Sequence, residues 1–158
     1  MQANRSRDTK PEIALRRELH ALGLRYRLCA RPLPDVRRTA DIVFRPVRVA
    51  VEVRGCFWHG CPKHYRQPKA NDSYWSAKVA RNAARDADTE RRLDAAGWVL
   101  VVVWEHDNPH EAAAKVAAII SQRRADAADC GIGAAGLALP DIRVDIRMYG
   151  GADVAARS

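Results

Sequence analysis

Cys56-Phe57-Trp58-His59-Gly60-Cys61-Pro62-Lys63-His64 packs two thiols, two imidazoles and two large aromatic rings into nine residues, just after the apolar run Val47 to Val53. In that run Val47, Val49, Val51 and Val53 alternate with Arg48, Ala50, Glu52 and Arg54, which is the period of a strand with one apolar face. A strand that ends in such a cluster delivers metal ligands, a candidate acid/base group and stacking surfaces to one edge of a sheet. The fold therefore has to be a sheet that leaves this edge open to a ligand.

The ligand's charge is indicated by composition. A chain of 158 residues with a formal net charge of +8 favours a polyanionic partner, and nucleic acid is the natural one. The length suits one domain with its own core, and 47% apolar residues is ordinary for a globular protein. No run approaches the length of a membrane span, and Met1 to Lys10 is polar, so no membrane association and a cytoplasmic, nucleoid-associated location are expected. Of four cysteines, Cys56 and Cys61 lie close together beside histidines and suit metal better than a disulfide. Cys29 and Cys130 read as plain buried or loop residues.

Along the chain, Thr9, Pro11 and Glu12 predict a helix start with a capping box, and Gly23 its end. Leu24, Tyr26 and Leu28 alternate as a strand, residues 31–38 form a Pro-rich loop, and Ala40 to Phe44 and Val47 to Val53 give two more strands. A polar loop precedes a long helix from Ser73 to Ala96, capped by Asp72 or Ser73 and stopped by Gly97. Trp98 to Trp104 reads as a strand buried on both faces, and Asn108-Pro109 opens a helix running to about Arg124. This order predicts an α/β fold: a mixed central sheet flanked by helices, with one right-handed crossover between the third and fourth strands. The expected domain spans residues 1–124. Residues 125–158 then form a linker and C-terminal tail, with an edge strand at 142–148 and a loose end.

Asp41 near one strand start and Glu52 near the next strand's end, followed by Arg54, resemble the Asp…Glu-x-Lys arrangement of restriction-endonuclease-like, PD-(D/E)xK, folds. Phosphodiester hydrolysis gathers negative charge in its transition state, which Mg²⁺ on hard oxygen ligands offsets. Asp41 and Glu52 would be those ligands, with the Val53 carbonyl as a third and Arg54 on a phosphate oxygen. The bland alternative is a pair of solvated strand ends. Cys56, Cys61 and His64 are three zinc-type ligands, and His106, beyond the buried strand, is the natural fourth of a closed structural site. Free thiols with surface histidines are the alternative. His59 is placed to deprotonate water or protonate a leaving group, unless it replaces His64 on the metal or sits idle at the surface. Phe57, Trp58 and Trp75 can wedge into a base step or serve as core. Arg37, Arg38, Lys63, Arg66, Lys69, Lys78, Arg81 and Arg85 flank the site and suit phosphate contacts, or merely solvate a surface.

These residues resemble the very-short-patch repair (Vsr-type) DNA mismatch endonucleases. The likeness runs through Arg7-Asp8-Thr9-Lys10-Pro11-Glu12, Ala40-Asp41-Ile42-Val43-Phe44, Gly55-Cys56-Phe57-Trp58-His59-Gly60-Cys61-Pro62, Tyr74-Trp75, Asn82 with Arg85-Asp86, Gly97-Trp98 and Trp104-Glu105-His106. It implies a restriction-endonuclease-like fold, a structural zinc and Mg²⁺-dependent nicking 5′ to the thymine of a T:G mismatch left by 5-methylcytosine deamination. It also implies a double-stranded DNA substrate, a functional link to a DNA cytosine methyltransferase and a monomer. By position, Asp41 matches the metal-binding aspartate, His59 the catalytic histidine and Glu12 an assisting N-terminal glutamate. Phe57, Trp58 and Trp75 match intercalating aromatics, and Cys56, Cys61, His64 and His106 the zinc ligands. Glu52 and Arg54 depart from the family pattern, where an apolar residue and a histidine or aspartate are more usual. Two other readings remain open at this point: a restriction-type or modification-linked nuclease on the same scaffold, and a non-catalytic zinc-stabilised DNA-binding module.

Overall fold

The computed structural model describes residues 7–67 and 71–129. Lys69, Cys130, the proposed edge strand at 142–148 and the C-terminal tail lie outside these residues. The elements run α1 (Lys10–Ala21), β1 (Arg27–Ala30), β2 (Ala40–Phe44), a single 3-10 turn (Arg45–Val47), β3 (Val49–Arg54), α2 (Asp72–Ala95), β4 (Val99–Trp104) and α3 (Pro109–Asp129). The sheet has four strands in the order β1-β2-β3-β4. The first two pairings are antiparallel and β3–β4 is parallel, so the sheet is mixed, as the order of elements implies.

Alternation along the strands divides the core. Ile42, Phe44, Val49, Val51, Val101 and Val103 point to one face, where they meet Leu15 and Leu19 of α1 and Ala112, Ala113, Val116 and Ile120 of α3. Val43, Ala50 and Leu100 point to the other, against Leu93 of α2. The result is helix, sheet, helix in three layers. β4 is apolar on both sides because helices cover both of its faces.

Helices α1 and α2 end in the same way. Gly23 and Gly97 both take φ of +73°. The Leu24 amide reaches the Leu19 carbonyl while Gly23 reaches His20, and Trp98 reaches Leu93 while Gly97 reaches Asp94. These are Schellman caps, with the residue after each glycine packed onto the helix it has just left. The first cap explains why β1 starts at Arg27 and not at Leu24. Leu24, buried, belongs to the cap. Similarly, Val47 is not the start of β3: it closes the 3-10 turn, and Arg48 at φ 52° turns the chain into the strand.

Three local expectations need correction. Thr9 sits at the N-cap of α1, but its side chain makes no cap bond. Its hydroxyl donates instead to Glu12 Oε1, while Glu12 Oε2 accepts the Asp8 amide. The cap of α2 is Asn71 in the left-handed region, not Asp72 or Ser73. Helix α3 runs to Asp129 rather than stopping near Arg124. Its start is as expected: Asn108 Oδ1 accepts the His110 and Glu111 amides ahead of Pro109.

Candidate active site and metal centre

The parallel register pairs Arg54 with Trp104, so β3 and β4 finish side by side. The next residues of each chain segment must meet beyond that edge. Glu105 donates its amide to the Arg54 carbonyl at 3.0 Å. It also accepts the Cys56 amide on Oε1 at 2.7 Å. This double link aligns the loop after β3 with the turn after β4, and it brings His106 to Cys56.

Cys56, Cys61, His64 and His106 each offer a donor atom, all within 4.8 Å of one another. His106 Nδ1 lies 3.1 Å from the Cys56 sulfur and 4.0 Å from that of Cys61, and His64 Nδ1 lies 4.0 and 3.8 Å from the same two. A tetrahedral ion with bonds of about 2.3 Å to sulfur and 2.0 Å to nitrogen holds its donors about 3.3–3.8 Å apart. The four residues fit such an ion with small adjustments. Both thiols are buried. Burial, the second thiol and the Glu105 carboxylate push the Cys56 thiol up to about 12. Metal capture by these thiols must therefore release protons.

Around the carboxylates, β2 and β3 pair Ile42 with Val51 and Val43 with Ala50. Asp41 Oδ2 accepts the Val53 amide at 2.7 Å. Burial raises Asp41 to about 6, helped by the charges of Glu12 and Glu52 and opposed by the Val53 bond and Arg16. Asp41, Glu12 and Glu52 thus share one electrostatic neighbourhood. A carboxylate whose folded value exceeds its unfolded one stabilises the fold at low pH and loses that contribution as pH rises through the folded value. In Mg²⁺-free buffer, Asp41→Asn should therefore raise stability by about 2–3 kcal/mol at pH 7 and above. The gain should shrink through about pH 6 and vanish below about pH 4. Denaturant melts across that range are the check; parallel curves for the two proteins would contradict it.

On β3, Arg54 donates to Glu52 Oε2 from Nη2 at 2.8 Å and from Nε at 3.1 Å. The same Nε stands 3.8 Å from Asp86 Oδ2 of α2. That oxygen is 2.6 Å from His59 Nδ1. Glu52, Arg54, Asp86 and His59 form a continuous chain of polar groups from the sheet to the loop. The carboxylate of Asp86 is held low, its burial outweighed by the His59 bond and the Arg54 charge. Fixing Nδ1 on a carboxylate sets the imidazole's orientation and leaves Nε2 for other work. His59 thus belongs to this chain, and it is His64 that joins the metal donors.

The rings gather beside it. Phe57 meets Trp58 at 5.1 Å, Trp75 at 5.5 Å and Tyr65 at 6.1 Å between centroids, and Trp58 meets Trp75 at 5.8 Å. All are half-buried rather than core. Lys78 Nζ lies over Trp58 at 4.9 Å, Trp75 at 5.5 Å and Tyr74 at 5.9 Å. Arg37, Lys63, Arg66, Arg81 and Arg85 are exposed. Arg38 is otherwise engaged: it donates to Thr89 Oγ1 at 2.8 Å and pairs with Asp88 at 2.7 Å. It thereby ties the loop before β2 to α2.

The profile of the family described as DNA mismatch endonuclease Vsr matches residues 1–66. The type II nicking enzyme V.NaeI of Lentzea aerocolonigenes is 49% identical over 118 residues, covering 73% of this chain and 71% of that protein. The chain belongs to the Vsr family of DNA mismatch endonucleases. Type II nicking enzyme V.XorIIP of Xanthomonas oryzae pv. oryzae is 46% identical over 106 residues, 66% of this chain and 76% of that one. The DNA mismatch endonuclease Vsr of Escherichia coli K12 is 32% identical over 106 residues, 66% of each. As a Vsr-family member the chain is a DNA endonuclease with the nuclease fold of that family, and DNA is its substrate. No helix among the described residues is long and apolar enough to cross a membrane.

Sequence reasoning gave no role to Asp86, Asn82 or Glu105, and the site uses all three. Asn82 donates to the Trp58 carbonyl at 2.8 Å, one helical turn before Asp86. The four-residue spacing of Asn82 and Asp86, on a helix otherwise rich in Arg and Ala, was the available signal. Tyr65 and Tyr74 likewise join the rings without having been singled out as contacts.

Proposed function

We propose that this chain nicks one strand of duplex DNA 5′ to the thymine of a T:G mismatch arising from 5-methylcytosine deamination. Supporting this is the chain Glu52–Arg54–Asp86–His59 beside Asp41, next to a half-buried ring cluster under a lysine. Asp41 and Glu52 would hold Mg²⁺, which supplies charge neutralisation for the phosphorane-like transition state. Since Glu52 commits Oε2 to Arg54, its other oxygen is the one for the ion. His59, steadied by Asp86, takes a proton from the attacking water or gives one to the departing oxygen through Nε2. Arg54, between two carboxylates, presents what remains of its fork to a phosphate oxygen. Phe57, Trp58 and Trp75 enter the base stack, while Arg37, Lys63, Lys69 and Lys78 meet phosphates. Cys56, Cys61, His64 and His106 would hold Zn²⁺, whose preferred sulfur and nitrogen donors they are, and whose role is to pin the loop. The nuclease unit is the segment 1–124, continued by the remainder of α3. We place the protein in the cytoplasm, at the nucleoid, as a monomer that works alongside a cytosine methyltransferase.

The test is a nicking assay on a panel of T:G, G:C and methylated duplexes with and without Mg²⁺. One cut, in the T:G duplex alone and only with Mg²⁺, is the expected pattern. Cutting of fully paired or methylated duplexes instead supports the second reading, a restriction-type or modification-linked nuclease. That reading draws on the name "type II nicking enzyme" carried by relatives and on the unusual Glu52–Arg54 pair. Within the assay, His59→Ala should lower the rate by about 10²–10⁴. Asp86→Asn should lower it by a smaller factor with the duplex KM unchanged, because it misaligns the imidazole without removing it. Wild-type turnover in Asp86→Asn would deny the aspartate that part.

A further inference from the structure

Glu12 is the one charged side chain that is fully buried among the described residues, at 4% exposure. A buried carboxylate needs partners, and Glu12 has three: the Asp8 amide, the Thr9 hydroxyl and Arg16 Nη2, each at 3.0 Å. Arg16 is itself largely buried, with its side chain 13% exposed. It grips Asp8 Oδ1 through Nη1 at 2.5 Å, and its carbonyl accepts the Tyr26 hydroxyl at 3.0 Å. The Tyr26 ring packs edge-on against Phe44 of β2. Two turns of α1 are thereby fastened to the strand that carries Asp41. Charges on Glu12 and Arg16 act on Asp41 with opposite signs. Replacing a buried ion pair by apolar side chains is often neutral or stabilising, so α1, which already buries Leu15 and Leu19, does not need this pair for packing.

We propose that Arg16 is a positioning residue of the nuclease centre, holding the Glu12 carboxylate fixed on the side of Asp41. Without it the Glu12 carboxylate would keep only the Asp8 amide and the Thr9 hydroxyl to hold it in place. With it, Glu12 can accept a hydrogen bond from water that a hard cation retains there. This rests on the function proposed above. Arg16 touches no reacting atom itself.

The experiment compares wild type, Arg16→Met, Arg16→Lys, Glu12→Gln and the Arg16→Met/Glu12→Gln double variant. Nicking of a T:G duplex is followed at varied duplex and Mg²⁺ concentrations, with the folded fraction measured by circular dichroism. Arg16→Met should lose about 10- to 100-fold in kcat, with KM for the duplex within about twofold. Its half-saturating Mg²⁺ should rise several-fold. Arg16→Lys should recover part of the loss, and the double variant should be no worse than Glu12→Gln alone. Unchanged kcat in Arg16→Met, or a loss that tracks the unfolded fraction and adds to that of Glu12→Gln, overturns the inference. Should Arg16→Met fail to fold, Arg16→Lys decides: a lowered kcat at constant KM supports the role, and wild-type kcat overturns it. A wild type that nicks no duplex overturns the parent reading and this one with it, whereas an active wild type beside an unaltered Arg16→Met overturns this one alone.

Discussion

Asp41→Ala should lose nicking by about three orders of magnitude or more while binding duplex DNA within a few-fold of wild type. The asymmetry follows from where Asp41 sits. It is half-buried at the start of β2, bonded to the Val53 amide and close to two other acids. A carboxylate so placed repels phosphate unless a cation lies between them, so removing it cannot weaken binding through lost attraction. On the proposed reading, removing it takes away the cation's anchor. Gel-based nicking rates and an equilibrium binding titration on the same duplex separate the two quantities. Persistence of nicking in Asp41→Ala would move the catalytic ion elsewhere. An equal loss of binding would mean that Asp41 shapes the DNA surface and not the chemistry.

The second large effect concerns the Cys/His cluster. Cys61→Ser, or stripping the metal with a strong chelator, should destabilise the chain by about 3 kcal/mol or more and loosen the loop from Cys56 to Tyr65. Cys61 is 1% exposed, and its amide and carbonyl both take part in the turns that shape that loop. The rest of the sheet has its own two-sided core, so secondary structure should survive and the loss should appear first in the tryptophan fluorescence of Trp58 and Trp75. Metal content by atomic emission and a thermal melt with and without added Zn²⁺ provide the measurement. Adding Mg²⁺ back to the stripped protein should not restore the melt. A Cys61→Ser protein with wild-type stability and metal content would remove the structural metal from the account.

Those two sites differ in how plainly they could be seen in the sequence. The cluster of candidate metal donors was legible because three of them lie within nine residues and the fourth follows a strand whose apolar run marks it as β3's neighbour. Parallel strands ending in register did the rest. The layered fold was legible for a similar reason, since strand and helix periods differ and Gly23 and Gly97 mark the ends of helices. Asp86 and Glu105 were not, because a carboxylate on a long charged helix or in a turn looks solvated until its partner is known. His59 had two possible employers, the metal or the carboxylates, and only the three-dimensional arrangement chose Asp86. Helix starts failed where a backbone in the left-handed region, Asn71, did what a side-chain cap was expected to do. The end of α3 was missed because Ala125 to Asp129 suits a helix and a linker equally by composition.

Helix α2 carries Lys78, Asn82 and Asp86 at four-residue intervals, hence on one side. The first lies over the rings, the second holds the Trp58 carbonyl and the third steers the imidazole. On the proposed reading, a base step that admits Trp58 pulls on the same rod that aims His59. Target discrimination would then be exercised through turnover more than through affinity: a correctly paired duplex could be held yet left uncut because the rod was never set.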